Sequence, residues 1–270
     1  MIEDPLGAIE YDEKGQGPTI VFVPGSCSTG AAWRAVIAAL QGDFRTITTS
    51  LPGYGGSAER RSETDGSIGP VASAIEAVVR RAGTAVHLVG HSFGGEAGLA
   101  VALRGRVPLA SLSILEAPAP GILRAFGRTG PFDRFRAMTD TYFHHFQSGD
   151  AEAIGAMIDF YGGAGTWASW PAAVRIYAAQ TTPTNIRDWK SAYALEYSAA
   201  ALADLDLPVL VAVGERSHPA VREANSLIAE AIPGSTSATI AGAAHFMTAT
   251  HPVEVASLIV RLVSASMQAG

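Results

Sequence analysis

The chain has 270 residues, 48% of them apolar and only 16% charged, with a formal net charge of −6. That composition describes a compact globular protein and excludes a disordered, solvating one. With no basic block it also excludes nucleic acid as a partner. The single cysteine, Cys27, rules out an intrachain disulfide. The acidic start "MIEDPLGAIEYDEKG" lacks the basic and apolar regions of a secretory signal. The uncharged stretch from Ala231 to Val253 is interrupted by Ser, Thr, Gly, Pro and His, unlike a membrane helix. The expectation is a cytoplasmic protein with no membrane partner, either monomer or homodimer.

In chain order, "TIVFVPG" (19–25) is a β-branched apolar run closed by Pro-Gly, and "AAWRAVIAAL" reads as a helix. "FRTITTS" is strand-like and "LPGYGGS" turns the chain. "IGPVASAIEAVVRRAG" is an amphipathic helix stopped by Gly83. "AVHLVG" is a strand, "GGEAGLAVALRG" a helix and "LASLSILEA" a strand. From Pro118 to Asp206 the pattern turns helical and aromatic. The alternation resumes with "LPVLVAVG", "AVREANSLIAEAIPG", "STSATIAGA" and "HPVEVASLIVRLV". Continuous apolar strands alternating with helices predict an α/β fold, a mainly parallel sheet covered by helices on both faces. The predicted organisation is a core of residues 1–117 and 207–270, with residues 118–206 inserted as a helical cap. That insertion holds fourteen of the chain's twenty-one aromatic residues. Most are expected to pack, and a few to line an apolar pocket.

Gly90-His91-Ser92-Phe93-Gly94 fits G-x-S-x-G and falls between a predicted strand and helix, where that motif makes a tight turn exposing the serine hydroxyl. Serine needs a base to act as a nucleophile. His245 lies in a loop between the last predicted strand and the C-terminal helix, and is the candidate. His91 flanks the serine and is expected to point away. Two oxyanion donors are needed. One is the Phe93 N–H; the other is the N–H of Ser26 or Cys27 in "VPGSCSTGAAW", with Ser26 favoured because it follows Gly25. Cys27 lacks any nucleophile motif and reads as a small buried thiol. "LPGYGGS", without a lysine, is a structural turn and not a phosphate cradle.

With "VPGS", "LPGYGGS", "GHSFGG" and "GAAHF" in this order, the sequence resembles the α/β-hydrolase superfamily over nearly its whole length. It looks like the capped branch that includes serine esterases, carbon–carbon bond hydrolases, haloalkane dehalogenases and epoxide hydrolases. The dehalogenases and epoxide hydrolases of that family use Asp as nucleophile. Ser92 therefore implies acyl chemistry on a small, largely apolar ester, thioester or lactone, with no metal or organic cofactor. The family usually supplies the triad acid as Asp just after the strand that follows the cap. Here that region reads Gly214-Glu215-Arg216-Ser217-His218, and Ser217 stands at the expected place. Glu116, ending the strand before the cap, resembles the acid of some haloalkane dehalogenases. Glu215 is the alternative acid, and Glu96 a more remote one. A carbon–carbon bond hydrolase or lyase, an acyltransferase, or a ligand receptor without catalysis are the other readings.

Overall fold

The computed structural model describes residues 1–62 and 65–269. They form one seven-stranded sheet in the order β1-β3-β2-β4-β5-β6-β7. The strands are β1 (Asp12–Lys14), β2 (Thr19–Val23), β3 (Arg45–Thr48), β4 (Val86–His91), β5 (Leu109–Leu115), β6 (Val209–Gly214) and β7 (Thr236–Ile240). β1 pairs antiparallel with β3, and every other pairing is parallel. The short exposed strand β1 has no counterpart in the predicted elements, because its residues, Asp-Glu-Lys, carry no apolar alternation.

The period-2 alternation of β2 and β4 divides the core into two layers. Ile20, Phe22 and Val89 face Trp33, Val255 and Ile259. These last come from the turn before α1 (Arg34–Ala39) and from α13 (Pro252–Ala269). Val21, Val23 and Leu88 face the opposite way. They meet α2 (Gly69–Ala82), α3 (Phe93–Arg104) and α11 (Pro219–Ala231). Phe22 is wholly buried; its truncation to alanine would cost about 3–5 kcal/mol. Burial on both faces explains why β2 reads as an unbroken apolar run.

Between β5 and β6 the chain runs through α4 (Pro120–Ala125), α5 (Thr129–Gln147), α6 (Ile154–Gly162), α7 (Thr166–Ser169), α8 (Ala172–Gln180), α9 (Thr182–Ala194) and α10 (Ala199–Ala203). Phe135, Tyr142, Trp167 and Trp189 from these helices join the same apolar cluster as α2 and α3. A last short helix, α12 (Met247–Thr250), precedes α13. Among the described residues no helix is long and apolar enough to cross a membrane.

Candidate active site

Ser92 sits between the end of β4 and the start of α3 with φ 55° and ψ −128°, a conformation that L residues rarely adopt. The turn is held by Ser92 N–H donating to Leu115 O at 2.8 Å, and by Gly95 N–H donating back to Ser92 O at 2.9 Å. The flanking glycines answer to packing. A Cβ on Gly90 would fall 2.3 Å from Gly94 O, and one on Gly94 would fall 2.3 Å from Pro24 O. The turn therefore presses against the loop after β2. A Cβ on Gly25 would lie 2.9 Å from Ser92 Cβ, so Ser26 follows directly at the serine's side.

His245 lies after β7, on the loop into α12. Its Nε2 is 3.0 Å from Ser92 Oγ, and its Nδ1 is 3.1 Å from Glu116 Oε2. Glu116 directly follows β5, has φ 58° and is fully buried. Its Oε1 accepts from Gly214 N–H at 2.6 Å and from Ser217 Oγ at 2.5 Å. Burial opposes ionisation of this carboxyl. The His245 contact, the Ser217 hydroxyl and the Gly214 N–H outweigh burial and hold it below its ordinary value.

The structure thus brings Ser92, His245 and Glu116 into one hydrogen-bonded chain. Glu215 stays outside it: that exposed side chain turns to the sheet edge, where Oε2 accepts from Gly242 N–H at 2.8 Å. Glu96 is buried on α3 and accepts from the Tyr197 hydroxyl at 3.0 Å. Burial raises its carboxyl to about 7. His91 Nε2–H donates to His245 O at 2.7 Å and not to Ser92, bracing the loop that carries the imidazole. Burial lowers His91 to about 4, so it is a neutral strut.

Among the described residues the N–H groups of Ser26 and Phe93 donate to no protein acceptor. Phe93 is the first residue of α3, where a helix leaves its N–H free. Cys27 is buried with φ 58°, and burial pushes its thiol up, the opposite of an activated nucleophile.

Two contacts had no signal in the sequence. The Tyr161 ring, from α6, stacks on His245 with centroids 3.9 Å apart and planes 20° apart. Asp188, from α9, accepts from Ser26 Oγ at 2.5 Å, from the Tyr54 hydroxyl at 2.6 Å and from Arg61 Nη1 at 2.6 Å. Arg61 also forks onto Glu59, with both bonds at 2.8 Å. The turn "LPGYGGS" is thereby a docking point for α9 as well as a bend. Above Ser92 and His245 opens a cavity of about 910 Å³, walled by Met157, Phe160, Tyr161, Trp170 and Trp189. Of the aromatic residues between 118 and 206, Phe160, Tyr161, Trp170 and Trp189 line this cavity. Phe135 and Tyr142 are fully buried in the core.

A doubly covered, mainly parallel sheet, with serine, carboxylate and histidine on the loops at the carboxyl ends of β4, β5 and β7, is the architecture of the α/β hydrolases. Residues 18–252 match the alpha/beta hydrolase fold family, and the chain belongs to it. A 55-residue segment is 40% identical to a pimeloyl-[acyl-carrier protein] methyl ester esterase of Vibrio parahaemolyticus. The match covers 20% of this chain and 22% of that one, so this chain spans less than a quarter of the curated relative's length. Among solved structures, a thermophilic esterase from Thermogutta terrifontis superposes with a TM-score of 0.73 at 21% identity. That superposition covers 96% of this chain and 93% of the esterase. The enol-lactonase of Burkholderia xenovorans superposes at 0.76 with 17% identity, over 95% and 96%. At these identities the two structures establish the fold.

Proposed function

We propose that this α/β hydrolase cleaves ester-like bonds of a small, largely apolar molecule through a serine acyl-enzyme. The observation that carries this reading is the continuous hydrogen-bonded chain from Ser92 Oγ through His245 to Glu116, at the floor of an apolar cavity. His245 Nε2 takes the Ser92 proton as Oγ attacks the carbonyl carbon. The N–H groups of Ser26 and Phe93 hold the oxygen that becomes negative. The proton on Nε2 passes to the departing alcohol. Water, deprotonated by the same nitrogen, then frees the acid and restores Ser92. Glu116 fixes the imidazole so that Nδ1 carries hydrogen, and steadies its positive charge. The chemistry draws on side chains and backbone alone.

The helices from 118 to 206 serve as the cap, supplying Tyr161, Trp170 and Trp189 to the cavity wall. The esterase relative and the esterase and lactonase neighbours support the same bond class. The test is labelling by a fluorophosphonate, together with turnover of aryl esters. Labelling of wild type and not of Ser92→Ala, with ester turnover lost in parallel, is the expected result. No labelling and no turnover would overturn the reading. Turnover of a diketone in preference to every ester would replace it with carbon–carbon bond hydrolysis.

A further inference from the structure

One face of α9 forms a wall of the cavity through Asn185, Asp188, Trp189 and Ala192, spaced i, i+3, i+4 and i+7. Several other polar side chains around the cavity are already committed. Asp188 is filled by Ser26, Tyr54 and Arg61. The Ser217 hydroxyl is given to Glu116, and the Ser28 hydroxyl to Gly25 O at 2.9 Å. Thr166 and Ser169 bond carbonyls of their own turn. Asn185 differs. It is 2% exposed, yet its carboxamide has no hydrogen bond to any described residue. Its Oδ1 is the unpartnered buried polar atom, among the described residues, that belongs to the cavity wall.

A buried carboxamide without a partner is unfavourable, because water is lost and nothing replaces it. Rotation about the broad χ2 well can present either the oxygen or the NH₂ to the cavity. Residues three apart on a helix have neighbouring side chains, so Asn185 stands beside the Asp188–Ser26 contact. That is the side of the cavity to which Ser26, the proposed oxyanion donor, belongs.

We propose that Asn185 is the polar recognition point of this cavity, and that the substrate carries a hydroxyl or secondary amide close to its reacting carbonyl, within an otherwise apolar or aromatic body. Both groups donate and accept, which is what a free carboxamide requires. The proposal rests on the ester-hydrolase reading for its account of turnover.

The test uses three aryl esters with acyl chains of equal length: a plain alkyl chain, one bearing a hydroxyl, and one bearing a secondary amide. The wild-type protein is expected to favour the hydroxyl or the amide ester by at least about tenfold in kcat/KM. Asn185→Leu, close in shape and apolar, is expected to erase that preference, bringing the three esters within about threefold of one another in kcat/KM. Asn185→Ala serves if the leucine variant does not fold. The same comparison is made by calorimetric binding of the intact esters to Ser92→Ala with and without the Asn185 substitution. A preference in binding that vanishes with Asn185 supports the proposal even where no ester is turned over, an outcome that would sink the hydrolase reading alone. Equal kcat/KM and equal affinity for the three esters in wild type, or a preference surviving both substitutions, overturns it.

Discussion

The Ser217 hydroxyl donates to Glu116 Oε1 at 2.5 Å, while Oε2 of the same carboxylate faces His245. The position where the family resemblance leads one to expect the acid therefore holds a donor to a carboxylate that arrives from β5. The two places lie within one hydrogen bond of each other, although 101 residues separate them. A charge at the fully buried end of a strand must be matched by donors. Gly214 N–H, Ser217 and His245 supply three.

That adjacency predicts an exchange. Glu116→Gln should lower kcat by two or more orders of magnitude, as loss of a triad acid does. Ser217→Asp alone sets a second carboxylate beside Glu116, and repulsion between the two should impair the enzyme. Glu116→Ser combined with Ser217→Asp moves the acid to the other strand, and should recover at least about tenfold over Glu116→Ser. Steady-state ester hydrolysis by the four variants measures this. A double variant no better than Glu116→Ser would show that the β5 end alone can present a carboxylate to His245.

Ser217→Ala has a distinct signature in pH. It removes one of the bonds that keep Glu116 below its ordinary value, so the carboxyl rises. A depressed native carboxyl contributes stability above its unfolded value of about 4.3, and loses it as pH falls through the native value. In Ser217→Ala the acid limb of kcat/KM should shift to higher pH. Acid unfolding should begin at higher pH too. Superimposable profiles for the variant and wild type would count against Ser217 as a support of the charge.

Asp188 ties α9 to the loop that carries the Ser26 N–H. Ser26→Ala keeps the N–H and cuts the tie, so kcat/KM should fall about tenfold while thermal stability changes little. Asp188→Ala instead removes the acceptor shared by Tyr54 and Arg61, while Glu59 still pairs the buried guanidinium. It should cost about 1–3 kcal/mol of stability, the penalty of leaving buried donors unpaired. Kinetics and denaturant unfolding of the two variants separate positioning from support. If Ser26→Ala matched wild type in kcat/KM, the hydroxyl would hold no part of the oxyanion loop.

The sequence exposes the sheet because strands buried on both faces are apolar runs, and it exposes Ser92 because two glycines must surround that turn. His245 was legible from chain order. Glu116 came from the resemblance. Tyr161 and Asp188 were not legible, for a common reason. Each acts on a residue distant in the chain, Tyr161 by stacking on His245 and Asp188 by bonding Ser26 across 162 positions of separation. Helical periodicity marks them only as positions on an amphipathic face. The β1 edge was missed because an exposed three-residue strand is fixed by its partner β3 and not by its own residues.

Glu96 offers a prediction of opposite sign to Glu116. Burial raises its carboxyl to about 7, and Oε2 has no partner among the described residues. The native state then holds a proton that the unfolded chain releases near pH 4.3. Stability from this group is fully present below about pH 4.3 and declines as pH rises toward 7. Glu96→Gln fixes the neutral form and keeps an acceptor for the Tyr197 hydroxyl. It should match wild type at pH 4 and exceed it at pH 8 by up to about 3 kcal/mol, the shift converted at 1.36 kcal/mol per unit. Denaturant midpoints at the two pH values measure the difference. A variant less stable than wild type at pH 8 would show that ionised Glu96 has a counter-charge, and that the charge and not the proton is what α3 holds there.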